Sequence, residues 1–447
     1  MQVDERWPRC PDAAEWFNTR MHDLRRLSPT LDQFGNRLLE HSGVELTALV
    51  DHWKLPLAEF PASLGGQLGM EPAETDCGIQ WCHPGASVPD VLVGPAVMTM
   101  PVLRVESIRD FRDSTGWAVV GGAGDDDSGY AEAQFVLDGH AVGVAVRQGQ
   151  KCCCPGRVTS EFRERLAHAR ELLSSRDRTG TDVQIISRAQ VVSSQVTALL
   201  GRDRAADEFF RAERDYYMSR NNAASFQYRL QQDAGIGWAN HDHHTYRSAR
   251  SEFWLLMKLF TSMGFYCREK FFAGAEAGWG AQVMEHPVSR VVLFCDVDMA
   301  TEDLEVDFDT VELKQLSTLK TIGLWCALHG SSIGVAGMHH LEAVFNFERA
   351  THIMVEAGYG IMPAFTDLPM LKQAFTNPEL WQVSPERARP LLESGAITRE
   401  QANSFTRSGA AGSHLEILQR WDGYRGFNKT GVSSIIKATD ARTLDGG

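Results

Sequence analysis

The sequence predicts an α+β chain whose C-terminal half is built by repeating one unit. Three observations carry this. His241 to Ser248 is a strand-sized piece holding three histidines and Arg247; it is followed by Phe253, Leu256, Met257 and Phe260 at helical spacing, and the run stops at Gly264. The same grammar returns in Gly337-Met338-His339-His340-Leu341, then Phe347, Ala350, Ile353 and Met354, then Gly358. From His243 to Gly264 is 21 residues and from His339 to Gly358 is 19, so the two stretches have the size of an internal repeat. Between residues 88 and 146 the composition changes to Val, Gly and turn residues, as strands and hairpins require.

Taken in order, residues 1 to about 70 are expected to be helical. Leu24, Leu27, Leu31, Phe34 and Leu38 form an amphipathic stripe, and Trp53 to Phe60 continues it with a proline interruption. Val91 to Val93, Trp117 to Val120 and Phe135 to Leu137 are strand candidates, and Asp138-Gly139 between apolar runs is a hairpin signal. The run Asp125 to Asp127 lacks the ligand spacing of a calcium loop and is expected to be a solvated turn. A helix over 159–173 leads into the polar stretch 174–181, the best linker, and 183–232 is expected to form two or three helices. Beyond the first histidine unit come a strand at Cys267 to Phe272, an apolar strand at Arg290 to Val297, an acidic excursion at Thr301 to Asp309 and a helix over 311–329. After the second unit the expectation is a helix near Leu368 to Phe375, another near Pro385 to Ser394, a strand at Ser413 to Arg420 and a short final helix. This gives three regions: an N-terminal mixed α/β domain of residues 1–175, a helical connection of 176–235, and a metal-binding catalytic domain of 236–447 made of two repeat-like modules.

Composition narrows the function. A 43% hydrophobic and 23% charged content is that of a globular protein, and a net charge of −14 argues against non-specific nucleic-acid binding, which needs a basic face. No apolar run is long enough to span a bilayer and residues 1–12 lack a signal-peptide pattern, so the expectation is a cytoplasmic protein with no membrane partner. Composition leaves a homo-oligomer open. The nine cysteines include three in a row at 152–154, a poor disulfide framework that favours reduced thiols. Cys77, Cys82 and His83 with one or two of Cys152, Cys153 and Cys154 form a loose alternative, a zinc site.

If residues 243 to 247 are extended, His243, Thr245 and Arg247 share a face, and His414 and Glu416 share one on the later strand. Two imidazoles and one carboxylate from three strands make the facial arrangement that leaves positions open on a ferrous ion for oxygen and a chelating substrate. His243, His339 and Glu416 are the most economical choice of ligands. Arg247 is placed to hold a substrate carboxylate through two parallel hydrogen bonds, with Thr245 beside it.

The stretch His241 to Ser248 resembles the N-D-H-x-A-F-R-T opening of the 2-oxoadipate dioxygenase/decarboxylase (hydroxyglutarate synthase) family, a branch of the vicinal-oxygen-chelate superfamily. Gly337-Met338-His339 is similar to that family's G-N-H strand, His414 to Ile417 to its Y-x-E-F strand, and Gly426 to Lys429 to its G-F-G-K segment. These landmarks fall in the right order and span residues 235 to 440. The resemblance implies paired βαβββ modules in the C-terminal half and Fe(II) held by His243, His339 and Glu416. It also implies Arg247 as the carboxylate clamp, O2 as co-substrate, and a small anionic 2-oxo acid that is decarboxylated and then hydroxylated. The departures, with His241 and His244 flanking the first metal histidine and Met338 before the second, bear on the substrate more than on the metal. A metal-dependent isomerase, lyase or ring-cleaving dioxygenase on the same fold, or a non-catalytic metal- or ligand-binding protein, are the competing readings.

Overall fold

A computed structural model of the chain describes residues 7, 9–94, 98–151, 153–154 and 156–443. The expected N-terminal stripe is split into two helices, α1 (Pro11–Leu27) and α2 (Pro29–Ser42). Ser28 divides them: its hydroxyl accepts the Leu31 amide and Pro29 takes the first helical position, where a missing N–H costs nothing. Leu31, Phe34 and Leu38 are buried as the stripe requires, whereas Trp53 lies in a strand and not in a helical continuation.

From residue 50 to 147 the chain forms one eight-stranded sheet. Its strands are β1 (Val50–Leu55), then after α3 (Ala62–Gln67) β2 (Glu71–Thr75), β3 (Gly78–Cys82) and β4 (Asp90–Val93). There follow β5 (Met100–Arg104), then after α4 (Ile108–Thr115) β6 (Val119–Ala123), β7 (Tyr130–Leu137) and β8 (His140–Arg147). The strand order is β2-β3-β4-β1-β5-β8-β7-β6. Asp138 and Gly139 both take positive φ, 52° and 86°, in the two-residue turn between β7 and β8, as the hairpin signal predicts.

Four helices, α5 (Ser160–Ser174), α6 (Asp182–Leu200), α7 (Arg202–Met218) and α8 (Asn222–Asp233), lead to the second sheet. It contains β9 (His241–Arg247), α9 (Phe253–Ser262), β10 (Tyr266–Phe272), β11 (Trp279–Glu285) and β12 (Val292–Asp298), then α10 (Thr321–His329). The next module is β13 (His340–Val344), α11 (Phe347–Glu356), β14 (Thr366–Leu368) and β15 (Leu371–Phe375), with its last strand displaced by an excursion. That excursion holds β16 (Leu380–Trp381), α12 (Pro385–Glu393), α13 (Arg399–Arg407) and β17 (Ala410–Ala411), and the chain ends in β18 (His414–Arg420) and α14 (Lys429–Ala438). The strand order is β10-β11-β12-β9-β13-β18-β15-β14.

Two expected helices differ. Residues 368–375 form the β14–β15 hairpin, because Gln373 and Phe375 pair with β18 and bury against it. Only 321–329 of the expected 311–329 is helical; the Asp298 carboxylate accepts the Lys320 and Ile322 amides and fixes where α10 starts.

The two sheets have the same topology. In each, two βαβββ modules join through their first strands, which run antiparallel: β1 with β5, and β9 with β13. The first strand of each pair also carries one extra residue at the same place, between Val50 and His52 and between His241 and His244. The N-terminal sheet is therefore a second copy of the paired arrangement.

One apolar core runs through both halves, from Ala13 and Phe17 of α1 to Leu415 and Ile417 of β18. Gly43 at the end of α2 takes φ 74°, and a Cβ there would meet Ala350 of α11 at 2.8 Å, so a glycine is needed where the two halves touch. No helix among the described residues is long and apolar enough to cross a membrane.

Candidate metal centre

Strand alternation decides what the second sheet presents on its inner face. Along β9 the residues His243, Thr245 and Arg247 point inward, as predicted, while His244 and Tyr246 pack outward against Phe210 of α7, with ring centroids 5.6 and 6.1 Å away. Across the sheet Thr245 is paired with His340, His340 with His414, and Glu342 with Glu416. The inner face therefore collects His243, His340, Glu342 and Glu416.

His243, His340 and Glu416 each offer one ligand atom, all within 4.8 Å of one another, and all three are buried. His340 Nε2 lies 2.9 Å from Glu416 Oε2 and 2.7 Å from Thr245 Oγ1. His243 Nδ1 lies 2.7 Å from Glu342 Oε1 and 3.4 Å from Asp242 Oδ2, the former an ion-pair contact rather than an aligned hydrogen bond. Gln373 donates to Glu342 at 2.9 Å and Glu416 at 3.0 Å, tying the two carboxylates together. Arg420 closes the network, 3.1 Å from Asp242 and 3.5 Å from Glu342.

Burial and mutual charge set the proton positions. Burial opposes charge on His243, but the Glu342 carboxylate overrides it and lifts the imidazole to about 10. Burial raises Glu342 well above the usual carboxylate range, helped by Glu416 beside it, and burial raises Glu416 as well. Burial, with His243 adding to it, holds His340 neutral, well below its ordinary value. A divalent cation on this face would displace the proton that Glu342 favours on His243, and two imidazoles with one carboxylate are a donor set of intermediate softness, fitting iron, manganese or zinc.

The structure brings two of the three expected ligands, His243 and Glu416, together with His340. His339 precedes β13 and lies outside that group: its Nδ1 is 3.0 Å from His340 Nδ1, and its ring packs against Trp325 and His414. Burial and the Arg247 charge hold His339 well below its ordinary value. A single step along a strand reverses the face, so the choice between 339 and 340 depends on where β13 begins.

Arg247 is fully buried on the same face, and none of its three guanidinium nitrogens has a hydrogen-bond partner. Its Nε stands 3.5 Å from Asp296 Oδ2, and the Trp325 ring lies 5.5 Å from its guanidinium carbon. Both Asp296 oxygens also lack hydrogen-bond partners, and burial lifts that carboxyl to about 7 against the pull of Arg247. Phe271, Trp279, Phe294, Trp325 and Phe427 line the surrounding cluster and keep it dry. The Phe427 ring packs 5.8 Å from that of His243 and also lines a cleft of about 1000 Å³ between the halves, where Asp242 and Arg420 are exposed to it.

Sequence reasoning preferred His339 to its neighbour His340 as a ligand and missed Glu342, Gln373 and Arg420. The alternation His340-Leu341-Glu342 and the recurrence of Asp-His at 51–52 and 242–243 were the available signals. The alternative of a zinc site at the cysteines and His83 does not form among the described residues. Cys77 is joined to Cys154 by a disulfide, contrary to the expectation of reduced thiols, and Cys82 and His83 belong to no ligand group among the described residues; Cys152 lies outside them. The Asp125 to Asp127 turn carries no metal group either; Asp126 caps α4 and Asp127 pairs with Arg170.

No family model matches the chain, and no curated protein does. Solved structures do match in part. A Shewanella frigidimarina protein described as a hydrolase is 16% identical, covering 49% of this chain and 95% of that one at a TM-score of 0.34. A Ralstonia eutropha protein described as belonging to the glyoxalase superfamily is 9% identical, covering 59% and 97% at 0.33. A mutant of 4-hydroxymandelate synthase from Streptomyces coelicolor is 10% identical, covering 88% and 98% at 0.30. All three fall below a TM-score of 0.5, so the fold is read from strand order and register. On that basis the chain has a mixed α/β fold of vicinal-oxygen-chelate-like paired sheets, present twice.

Proposed function

We propose that the C-terminal half is a non-haem Fe(II) dioxygenase acting on a small 2-oxo acid, with His243, His340 and Glu416 as metal ligands. The observation that carries this reading is the convergence of two buried imidazoles and one buried carboxylate beside a fully buried arginine without a hydrogen-bond partner. Ferrous iron, when bound, supplies the activation of oxygen and the chelation of a keto acid.

The protein's own groups do the rest. Arg247 binds the substrate carboxylate, and desolvation by the Trp325 face strengthens that contact. Thr245, 2.7 Å from His340 Nε2, stands between the ligand histidine and Arg247 on one strand face, so substrate bound at Arg247 lies against it. Glu342 and Asp242 hold the Nδ1 edge of His243 and leave its other edge for the metal. Phe294 and Phe427 exclude water from the face on which the reaction proceeds.

The test is oxygen uptake by anaerobically purified, iron-reconstituted protein against a panel of 2-oxo acids that includes 2-oxoadipate. Uptake with carbon dioxide release, abolished in His340→Ala, supports the reading. Stoichiometric metal binding without uptake on any acid sinks it. Glu342 favours a second reading, because a buried carboxylate beside the centre can serve as a base for an isomerase or lyase. That reading predicts metal-dependent exchange of a substrate proton with solvent and no oxygen consumption.

A further inference from the structure

The matched topology allows the two halves to be superposed residue by residue. The shared extra residue fixes the register: Asp51-His52 stands where Asp242-His243 does. Counting along the paired strands from there, Met100 takes the place of His340, Val102 that of Glu342, Gly143 that of Glu416, and Arg147 that of Arg420. Two of the three positions are thus without an imidazole or carboxylate. The inner face is filled instead by Leu92, Met100, Val102, Tyr130, Ala141 and Ala145.

What survives is the frame around the first histidine. In both halves an aspartate bonds the histidine and an arginine from the last strand bonds that aspartate: Asp51 Oδ2 is 2.8 Å from His52 Nδ1 and accepts from Arg147 Nη2 at 2.6 Å. In the C-terminal half this frame encloses an anion, the Glu342 carboxylate, between His243 and Arg420. With Val102 at the equivalent position, the N-terminal slot is filled by Cys153 from the loop after β8. Its sulfur is 3.2 Å from Arg147 Nη2 and 3.9 Å from His52 Nδ1. The next residue, Cys154, is disulfide-bonded to Cys77, which packs against the same apolar cluster as Cys153.

We infer that Cys153 is held as a thiolate in a slot built for a carboxylate, and that it exchanges with the adjacent Cys77–Cys154 disulfide. Its sulfur attacks Sγ of Cys77. The Cys77–Cys153 bond forms as the Cys77–Cys154 bond breaks, and the electron pair leaves on Cys154 as a thiolate that takes a proton from solvent. No net oxidation occurs, so no outside oxidant is needed. The charges that face the sulfur are two cations, His52 and Arg147, and one anion, Asp51, with Tyr130 also nearby. Burial opposes ionisation of Cys153, but His52 and then Arg147 outweigh it and lower the thiol below its ordinary value. A zinc site on Asp51, His52 and Cys153 is the competing use of these groups, but Arg147 already donates to both the aspartate and the sulfur.

The test maps the disulfide in the full-length protein. Samples incubated without added thiol are quenched in acid, alkylated, digested with pepsin and sequenced by tandem mass spectrometry. The expected result is a Cys77–Cys153 link that accumulates beside Cys77–Cys154, and its exclusive formation in Cys154→Ser. His52→Gln is expected to slow the exchange by about tenfold, as the thiolate fraction falls. In wild-type protein the rate of bimane labelling at Cys153 is expected to rise through an inflection below that of an ordinary cysteine, an observation that needs no variant. Cys77 linked only to Cys154 at every time, with a free Cys77 in Cys154→Ser, overturns the inference. So does a chain with no disulfide, or one zinc ion bound in a Cys153-dependent way.

Discussion

His339 and His340 differ by one position and by one strand face, and the difference is measurable. His340→Ala is expected to abolish stoichiometric Co(II) binding in an absorption titration. His339→Ala is expected to keep the stoichiometry and weaken binding about 10-fold to 100-fold, because His339 acts through His340 Nδ1. Glu342→Gln is expected to weaken metal binding by a similar factor, since Glu342 orients His243 and clusters with Asp242 and His243 in a neighbouring group rather than with His340 and Glu416. The inward triplet His243, Thr245 and Arg247 was legible because a strand's period is two wherever it starts. The second histidine was not, because Met338-His339-His340 offers two imidazoles in adjacent positions and the sequence does not mark where pairing begins.

At the scale of elements, α10 shows how one side chain positions another far along the chain. The Asp298 carboxylate, on the strand next to β9, takes the first free amides of the helix that carries Trp325 onto Arg247. Asp298→Ala is expected to cost about 1–2 kcal/mol in urea unfolding, the usual effect of losing such a cap, and to raise the KM of a carboxylate substrate. Elements with strong local signals were legible: the Asp138-Gly139 hairpin, the strand at 267–272, the Thr159-capped helix at 160–174 and the helix that Pro385 opens at 385–393. The 366–375 hairpin was not, since its leucines and phenylalanines are spaced ambiguously and only pairing with β18 makes them extended.

The whole molecule behaves as one packed body. Asn346 at the start of α11 donates to Glu45 and to the Gly43 carbonyl, and Arg290 pairs with Asp90 across the halves. Residues 236–447 expressed alone are therefore expected to be insoluble or molten, checked by near-ultraviolet circular dichroism, because they expose the faces that α2, α7 and α8 cover. Acid sensitivity has a traceable part. His329 is buried with Nε2 2.9 Å from the Ala411 carbonyl, and burial depresses it to about 3. Unfolded, it takes a proton below about 6.5, so the folded state loses stability as pH falls from there, by about 2 kcal/mol at pH 5. His329→Gln is expected to remove that part of the difference between urea midpoints at pH 7 and pH 5. The duplication itself was hidden from sequence reasoning, since the pair of histidines that opens the second C-terminal unit has no counterpart at the start of β5, where Met100 stands in place of His340.

The extra residue shared by β1 and β9 has a historical meaning. An insertion at one matching place in each of two sheets is most simply inherited, so the paired unit was doubled after the bulge arose, and the donors gathered on the C-terminal sheet are matched in the N-terminal one only by Asp51 and His52. The gap can be closed in outline. Met100→His with Gly143→Glu would return the missing donors, and because a Cβ at 143 meets Val102 at 2.9 Å, Val102→Ala must accompany them. If the C-terminal half binds one ion as proposed, a chain so restored is expected to bind two, counted by Co(II) titration.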